Sequence, residues 1–153
     1  MPDIYIRSAK ESDIESLLNL LPQITRNPEK ASAIMPDLQT ASQRFKQMQQ
    51  TGQTVLVAET RDNLEIVGTC TLLILPALVY GGRSFAQIEH MVVAQTHRGQ
   101  GIGTALMKYA VEQAQKSDCY KIQLLTGRLD EQVGFYNKQG FDESKTTGFK
   151  IYL

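Results

Sequence analysis

Apolar residues along this chain fall into short runs and helical spacings that mark out its elements. Ile4-Tyr5-Ile6-Arg7 is a β-branched and aromatic run and predicts a first strand. Ser8 followed by Glu11 has capping-box spacing. Leu17, Leu18 and Leu21 then give a helix its apolar face, and Pro22 ends the pattern. Pro28 and Pro36 interrupt residues 23–37, which predicts a loop or a loosely held helix. Leu38, Ala41, Phe45 and Met48 recur at helical spacing, so residues 38–50 predict a second amphipathic helix with Gly52 as its stop.

Strands dominate the middle. Residues 54–59 read as one strand, Arg61-Asp62-Asn63 as a turn and residues 65–80 as a long β-rich segment, with Gly81-Gly82 as a hairpin turn. Residues 85–93 close an antiparallel meander. Residues 104–116 then predict a helix whose inner positions are Ala105, Leu106, Tyr109, Ala110 and Ala114. The strand expected at 120–125 follows a strand and a helix, so a parallel crossover is the natural connection. A short helix over 130–139 with Gly140 at its C-cap, then a last strand over 149–153, complete the order. Such a series predicts an α/β (α+β) architecture: a mixed, mostly antiparallel sheet with helices on both faces.

At 153 residues, one domain spanning 1–153 is expected. Sixteen Lys and Arg balance sixteen Asp and Glu, which argues against a nucleic-acid binder. Cys70 and Cys119 lie far apart in apolar surroundings and read as reduced core thiols of a cytoplasmic protein, with no metal-ligand spacing. Met1-Pro2-Asp3 has no basic and apolar leader, so no signal peptide is expected. The longest apolar run, Thr69 to Tyr80, is too short to cross a bilayer and contains Pro76, so no membrane partner is expected.

Candidate chemistry begins where the strand Ile88-Glu89-His90-Met91-Val92-Val93 leads to Arg98-Gly99-Gln100-Gly101-Ile102-Gly103-Thr104. A glycine-rich turn that opens a helix offers bare backbone N–H groups and the positive end of the helix dipole. Together these hold a phosphate or pyrophosphate. A dinucleotide fold would place its glycines after the first strand of a βαβ unit and an acid about 20 residues on. A P-loop would need Gly-Lys-Ser/Thr. Neither pattern is met. Downstream, Phe135-Tyr136-Asn137-Lys138-Gln139-Gly140-Phe141 packs phenylalanines around a tyrosine whose hydroxyl is a usable general acid.

Taken together, Ile88-Glu89-x-x-Val92-Val93, Arg98-Gly99-x-Gly101-Ile102-Gly103 and Phe135-Tyr136-x-x-x-Gly140-Phe141 resemble the GNAT superfamily of acyl-CoA-dependent N-acetyltransferases. The element order is similar over nearly the whole chain. Within that superfamily, residues 45–141 most resemble the glucosamine-6-phosphate N-acetyltransferase group, through Phe45-Lys46-Gln47-Met48, Ile66-Val67-Gly68-Thr69-Cys70-Thr71-Leu72, Cys119-Tyr120-Lys121-Ile122 and Val133-Gly134-Phe135-Tyr136.

The resemblance implies a GNAT fold and an acetyltransferase that uses acetyl-CoA as co-substrate and needs no metal. It implies that the Arg98 turn, through the backbone of Gly99, Gln100, Gly101, Ile102, Gly103 and Thr104, holds the coenzyme pyrophosphate. Main chain at Met91, Val92 and Val93 would pair with the pantetheine arm as an added strand and polarise the thioester carbonyl. Tyr136 would protonate the departing thiolate, with Asn137 and Lys138 near the coenzyme. Glu89 takes the base position, directly or through a water, and His90 beside it is a candidate substrate contact. A homodimer is implied as well.

The acceptor is expected to be a primary amine of a small molecule, an amino sugar phosphate such as glucosamine 6-phosphate being one candidate, attacked directly in a ternary complex. The tail carries Lys145 and Lys150 but no arginine for bidentate phosphate binding, and Thr126-Gly127-Arg128 departs from the acidic loop of those enzymes. Two alternatives stand beside this reading: a protein or peptide N-acetyltransferase with an open groove, set by residues 22–50, and a non-catalytic acyl-CoA-binding sensor. Glu89 and Tyr136 together argue against the sensor.

Overall fold

The computed structural model describes residues 3–127 and 130–153. Met1, Pro2 and Arg128, which entered the reading above, lie outside the described residues. Among the described residues, five strands run in the order of the sequence: β1 (Ile4–Ser8), β2 (Gln53–Thr60), β3 (Ile66–Leu75), β4 (Phe85–Val93) and β5 (Ile122–Leu124). The first three pairings are antiparallel and β4–β5 is parallel. This is the mixed, mostly antiparallel sheet that the hydrophobic pattern predicts. Among the described residues, five α-helices accompany it: α1 (Ile14–Leu20), α2 (Pro28–Ser32), α3 (Leu38–Gln50), α4 (Ile102–Lys116) and α5 (Asp130–Lys138).

Alternation along β2 shows how the layers form, since successive side chains point to opposite faces of a sheet. Leu56 and Ala58 join a core with Cys70, Leu72, Ala86 and Ile88 beneath the Ile102, Leu106, Met107, Ala110 and Ala114 stripe of α4. Val57 joins Ile14, Leu17, Ala41 and Phe45 beneath α1 and α3. Gly68 fixes how closely α4 approaches: a Cβ there would lie 3.0 Å from Ile102 Cγ2 and 3.1 Å from Leu106 Cδ1. The start of α4 is therefore seated on the sheet. The sequence pattern began this helix two residues late and did not mark Ile102 and Met107 as core.

Local differences have local causes. Ser8 ends β1 and does not cap a helix. Lys10 begins a short helical turn, where its backbone N–H donates to Asp13 Oδ2 at 2.8 Å. Pro22 does not end the first helical segment, because a 3-10 turn over Leu21–Ile24 carries it forward and tolerates proline near its start. β3 stops at Leu75, before Pro76 removes a ladder donor. The connection from there to β4 spans residues 76–84, with left-handed backbone at Tyr80, Gly81 and Gly82. Residues 149–153 form no strand, and Phe149, Ile151, Tyr152 and Leu153 stand in solvent. Their alternating pattern is not paired with the edge of β5 or of β1; a Cβ at the preceding Gly148 would lie 2.8 Å from Leu125 Cδ2, beyond β5.

Arg7 on β1 lies between Asp13 and Glu59 in a largely buried cluster, donating to Asp13 Oδ2 at 2.6 Å and to Glu59. Burial alone would push the Asp13 carboxyl up, but the Arg7 hydrogen bonds and the Lys10 N–H outweigh it and hold it below the ordinary carboxylate value. The stability this group contributes is complete above the unfolded pKa of about 3.9 and is lost as pH falls through the lower folded value. Asp13→Asn is expected to cost about 2–3 kcal/mol in urea unfolding at neutral pH. The deficit should narrow below pH ~4, and an equal deficit at every pH would overturn the assignment.

Candidate active site

β4 and β5 pair only at Ala86–Ile122, Gln87–Gln123 and Ile88–Leu124, and then diverge. Beyond Ile88, β4 presents an open edge. A cleft of about 1040 Å3 occupies the gap. Its walls include Ile88 to Val93 from β4, Arg98, Gly99, Gly101, Ile102, Gly103 and Thr104 from the turn, Leu124 to Gly127 after β5, and Phe135 and Tyr136 from α5.

Gly99 and Gly101 both hold positive φ, at 74° and 81°, and Gly101 is the residue before α4. Only glycine adopts these angles without strain, so the turn delivers backbone N–H groups and the N-terminus of a fifteen-residue helix to one end of the cleft. Arg98 does less than its charge suggests. Its Nε donates to Val93 O at 3.1 Å and a terminal nitrogen to Gln23 O at 3.3 Å, tying the end of β4 to the segment after α1.

Glycine turn and Phe-Tyr motif are physically joined. The missing Cβ of Gly103 leaves room for the Phe135 ring, whose Cζ lies 3.2 Å from where that atom would be. Phe135 in turn packs edge-on against Tyr136, with ring centroids 5.0 Å apart. This stack sets Tyr136 half-buried in the wall. Burial, then the neighbouring Cys70 and Glu89, push its phenol above the ordinary value, so the hydroxyl keeps its proton. Cys70 is a core thiol pushed up to about 12 by burial, whereas Cys119 is only partly buried.

Glu89 is half-buried, and Gln87 donates to its Oε1. Gln123 Nε2 donates to Gln87 Oε1 at 3.3 Å, which spans β4 and β5 at the second of their three pairs. The next residue, His90, has φ 53°. Around it the ladder slips, because Thr69 pairs Val92 while Thr71 pairs Glu89, giving β4 one residue more than β3. This is a β-bulge at the mouth of the cleft.

The structure thus brings Glu89, His90, Met91, Val92, Val93, Arg98, Gly99, Gly101, Ile102, Gly103, Thr104 and Tyr136 to one cleft. Gln100, Asn137 and Lys138 are exposed and outside its walls. Gln23 to Arg26 and Pro28 also line it, though no local signal marked them. Lys145 lies 3.8 Å from Asp142, and Lys150 rests over the Tyr152 ring, so neither tail lysine faces the cleft. Among the described residues, no cluster of His, Cys, Asp and Glu could hold a metal ion.

Residues 15–141 match the acetyltransferase (GNAT) family. The chain is 31% identical over 139 residues to a glucosamine 6-phosphate N-acetyltransferase of Trypanosoma brucei brucei, covering 91% of this chain and 89% of that protein. A solved acetyltransferase from Trypanosoma brucei superposes with a TM-score of 0.86 at 28% identity, over 99% of this chain and 100% of that one. A glucosamine-6-phosphate N-acetyltransferase from Arabidopsis thaliana, at 22% identity, shares the fold with a TM-score of 0.84 over 97% of each chain. The strand that leaves its neighbour, the glycine turn under α4 and the match over most of the length agree: this chain belongs to the GNAT family of acetyltransferases.

Proposed function

We propose that this protein, as one domain over residues 1–153, moves the acetyl group of acetyl-CoA to a primary amine of a small molecule within a ternary complex. The observation that carries the reading is the joining of an anion-binding turn, an open strand edge and a protonated tyrosine in one cleft. Acetyl-CoA supplies the activated acyl group as a thioester. The turn from Gly99 to Thr104 suits its pyrophosphate, and the main chain of Met91 to Val93 suits its pantetheine amides. Glu89 accepts the proton that the ammonium of the acceptor must lose, directly or through a water. A β4 backbone N–H polarises the thioester carbonyl while nitrogen attacks carbon. As the C–S bond breaks, Tyr136 gives its proton to sulfur, and its phenolate takes the second proton that nitrogen loses on becoming an amide.

Glucosamine 6-phosphate is the first acceptor to try, because the curated relatives carry that name. Reduced Cys70 and Cys119 suit a cytoplasmic location. The exposed apolar tail, Phe149 to Leu153, supports a homodimer.

A thiol-release assay with acetyl-CoA and a panel of amines, headed by glucosamine 6-phosphate, tests the reading. Saturable release with any small amine supports it. No binding of acetyl-CoA by calorimetry would sink it. Gly103→Val separates turn from scaffold: its side chain meets the Phe135 ring, which must shift and carry Tyr136 with it. The expected result is a fall in kcat of about 10²-fold, since such displacements cost that much at a reacting centre. Unchanged kcat in this variant would break the proposed link between the two motifs.

A further inference from the structure

A second cavity, of about 330 Å3, lies under α1 and α3, the helices on the sheet face away from α4. Leu17, Leu18, Met35, Phe45 and Met48 contribute apolar walls. Ile24 and His90 line both this cavity and the cleft, so the two spaces adjoin. Thr71, at its base, is the cross-strand partner of Glu89. Cross-strand partners project to the same face of a sheet, which puts the carboxylate on the face where this cavity opens.

These features select a ligand. Sugar hydroxyls need hydrogen-bond partners, and apolar walls supply none. A cavity of about 150 Å3 lined by apolar side chains already takes a benzene ring, so this one has room for an arylalkyl or branched alkyl arm. Among the described residues lining it, Arg44 is the one permanently charged side chain. An ammonium is repelled by Arg44 and drawn to Glu89, which turns the arm inward and the amine toward the cleft.

We propose that this cavity gives the protein a second class of acceptor: primary amines with an apolar or aromatic arm, which seats between α1 and α3 and presents the nitrogen to Glu89. The proposal rests on the acetyl-transfer reading of the cleft and does not need the sugar acceptor. The reaction is the same exchange. The ammonium gives one proton to Glu89, the N–C bond forms, the C–S bond breaks, sulfur leaves with the proton of Tyr136 and the Tyr136 phenolate takes the second proton from nitrogen, giving an N-acetyl amide and free coenzyme A.

The test uses phenethylamine and isopentylamine as probes in the thiol-release assay, with acetyl-CoA affinity followed by calorimetry. Wild type should turn over both with saturation. Leu18→Trp and Met48→Phe, each filling the cavity from a different helix, should raise the KM for phenethylamine about tenfold or more. Their acetyl-CoA affinity should stay within about twofold of wild type, because neither residue lines the cleft. Two results would overturn the proposal: wild type that binds acetyl-CoA yet shows no saturable release with either probe, or a phenethylamine KM that neither filled variant changes. Wild type that fails to bind acetyl-CoA would instead overturn the acetyl-transfer reading, and this proposal with it.

Discussion

Tyr136→Phe is expected to lower kcat about 10²- to 10³-fold while acetyl-CoA affinity stays within about twofold. The substitution removes one oxygen and keeps the ring, so the stack of Phe135, Tyr136 and Phe141 persists. What disappears is the proton that sulfur needs as it leaves. Burial, with Cys70 and Glu89 nearby, raises the phenol above its ordinary value of about 10. An acid must be protonated to act, so wild-type kcat should hold through neutral pH and fall only above pH ~10. The variant should lack that alkaline fall. A kcat within about threefold of wild type would remove Tyr136 from the chemistry and leave it as packing.

Glu89→Gln should reduce kcat/KM about 10²-fold with amines that arrive protonated. Glutamine keeps the size and can still meet Gln87, which now donates to Glu89 Oε1. It cannot accept the proton of an ammonium. The variant's pH profile should then follow the acceptor alone, with activity recovering as pH rises toward the amine's own pKa. That recovery distinguishes a base from a residue that merely holds the strand. An equal loss at every pH would assign Glu89 to structure.

Much of this architecture could be read from the chain because its determinants are contiguous. The turn from Arg98 to Thr104 announces itself through glycine spacing, and α3 begins and ends at the residues its apolar period indicates, 38 and 50. Phe135 and Tyr136 sit side by side, so their packing follows from the motif. Other features have no local signature. The second cavity is assembled from α1, α3, β2, β3, β4 and the Met35–Pro36 segment, and no stretch of sequence contains it. The role of Arg98 in tying Val93 to Gln23 depends on residues 75 positions apart. The tail misled for a related reason. Its alternating pattern is that of a strand, but strand formation needs a second edge, which the pattern cannot supply.

His90 is the clearest case of position mattering more than identity. Ile88 pairs Leu72 and Glu89 pairs Thr71; after one additional residue Val92 pairs Thr69 and Val93 pairs Gly68. The insertion is complete within itself, so every residue on either side keeps the face it would have in a regular ladder. Core packing is indifferent to the extra residue, and the cleft alone registers it. A chain shortened by that one residue should keep its hydrophobic layers and its fold. It would lose only the backbone displacement at the reacting centre, because packing here follows the register with β3, which the extra residue leaves intact on both sides.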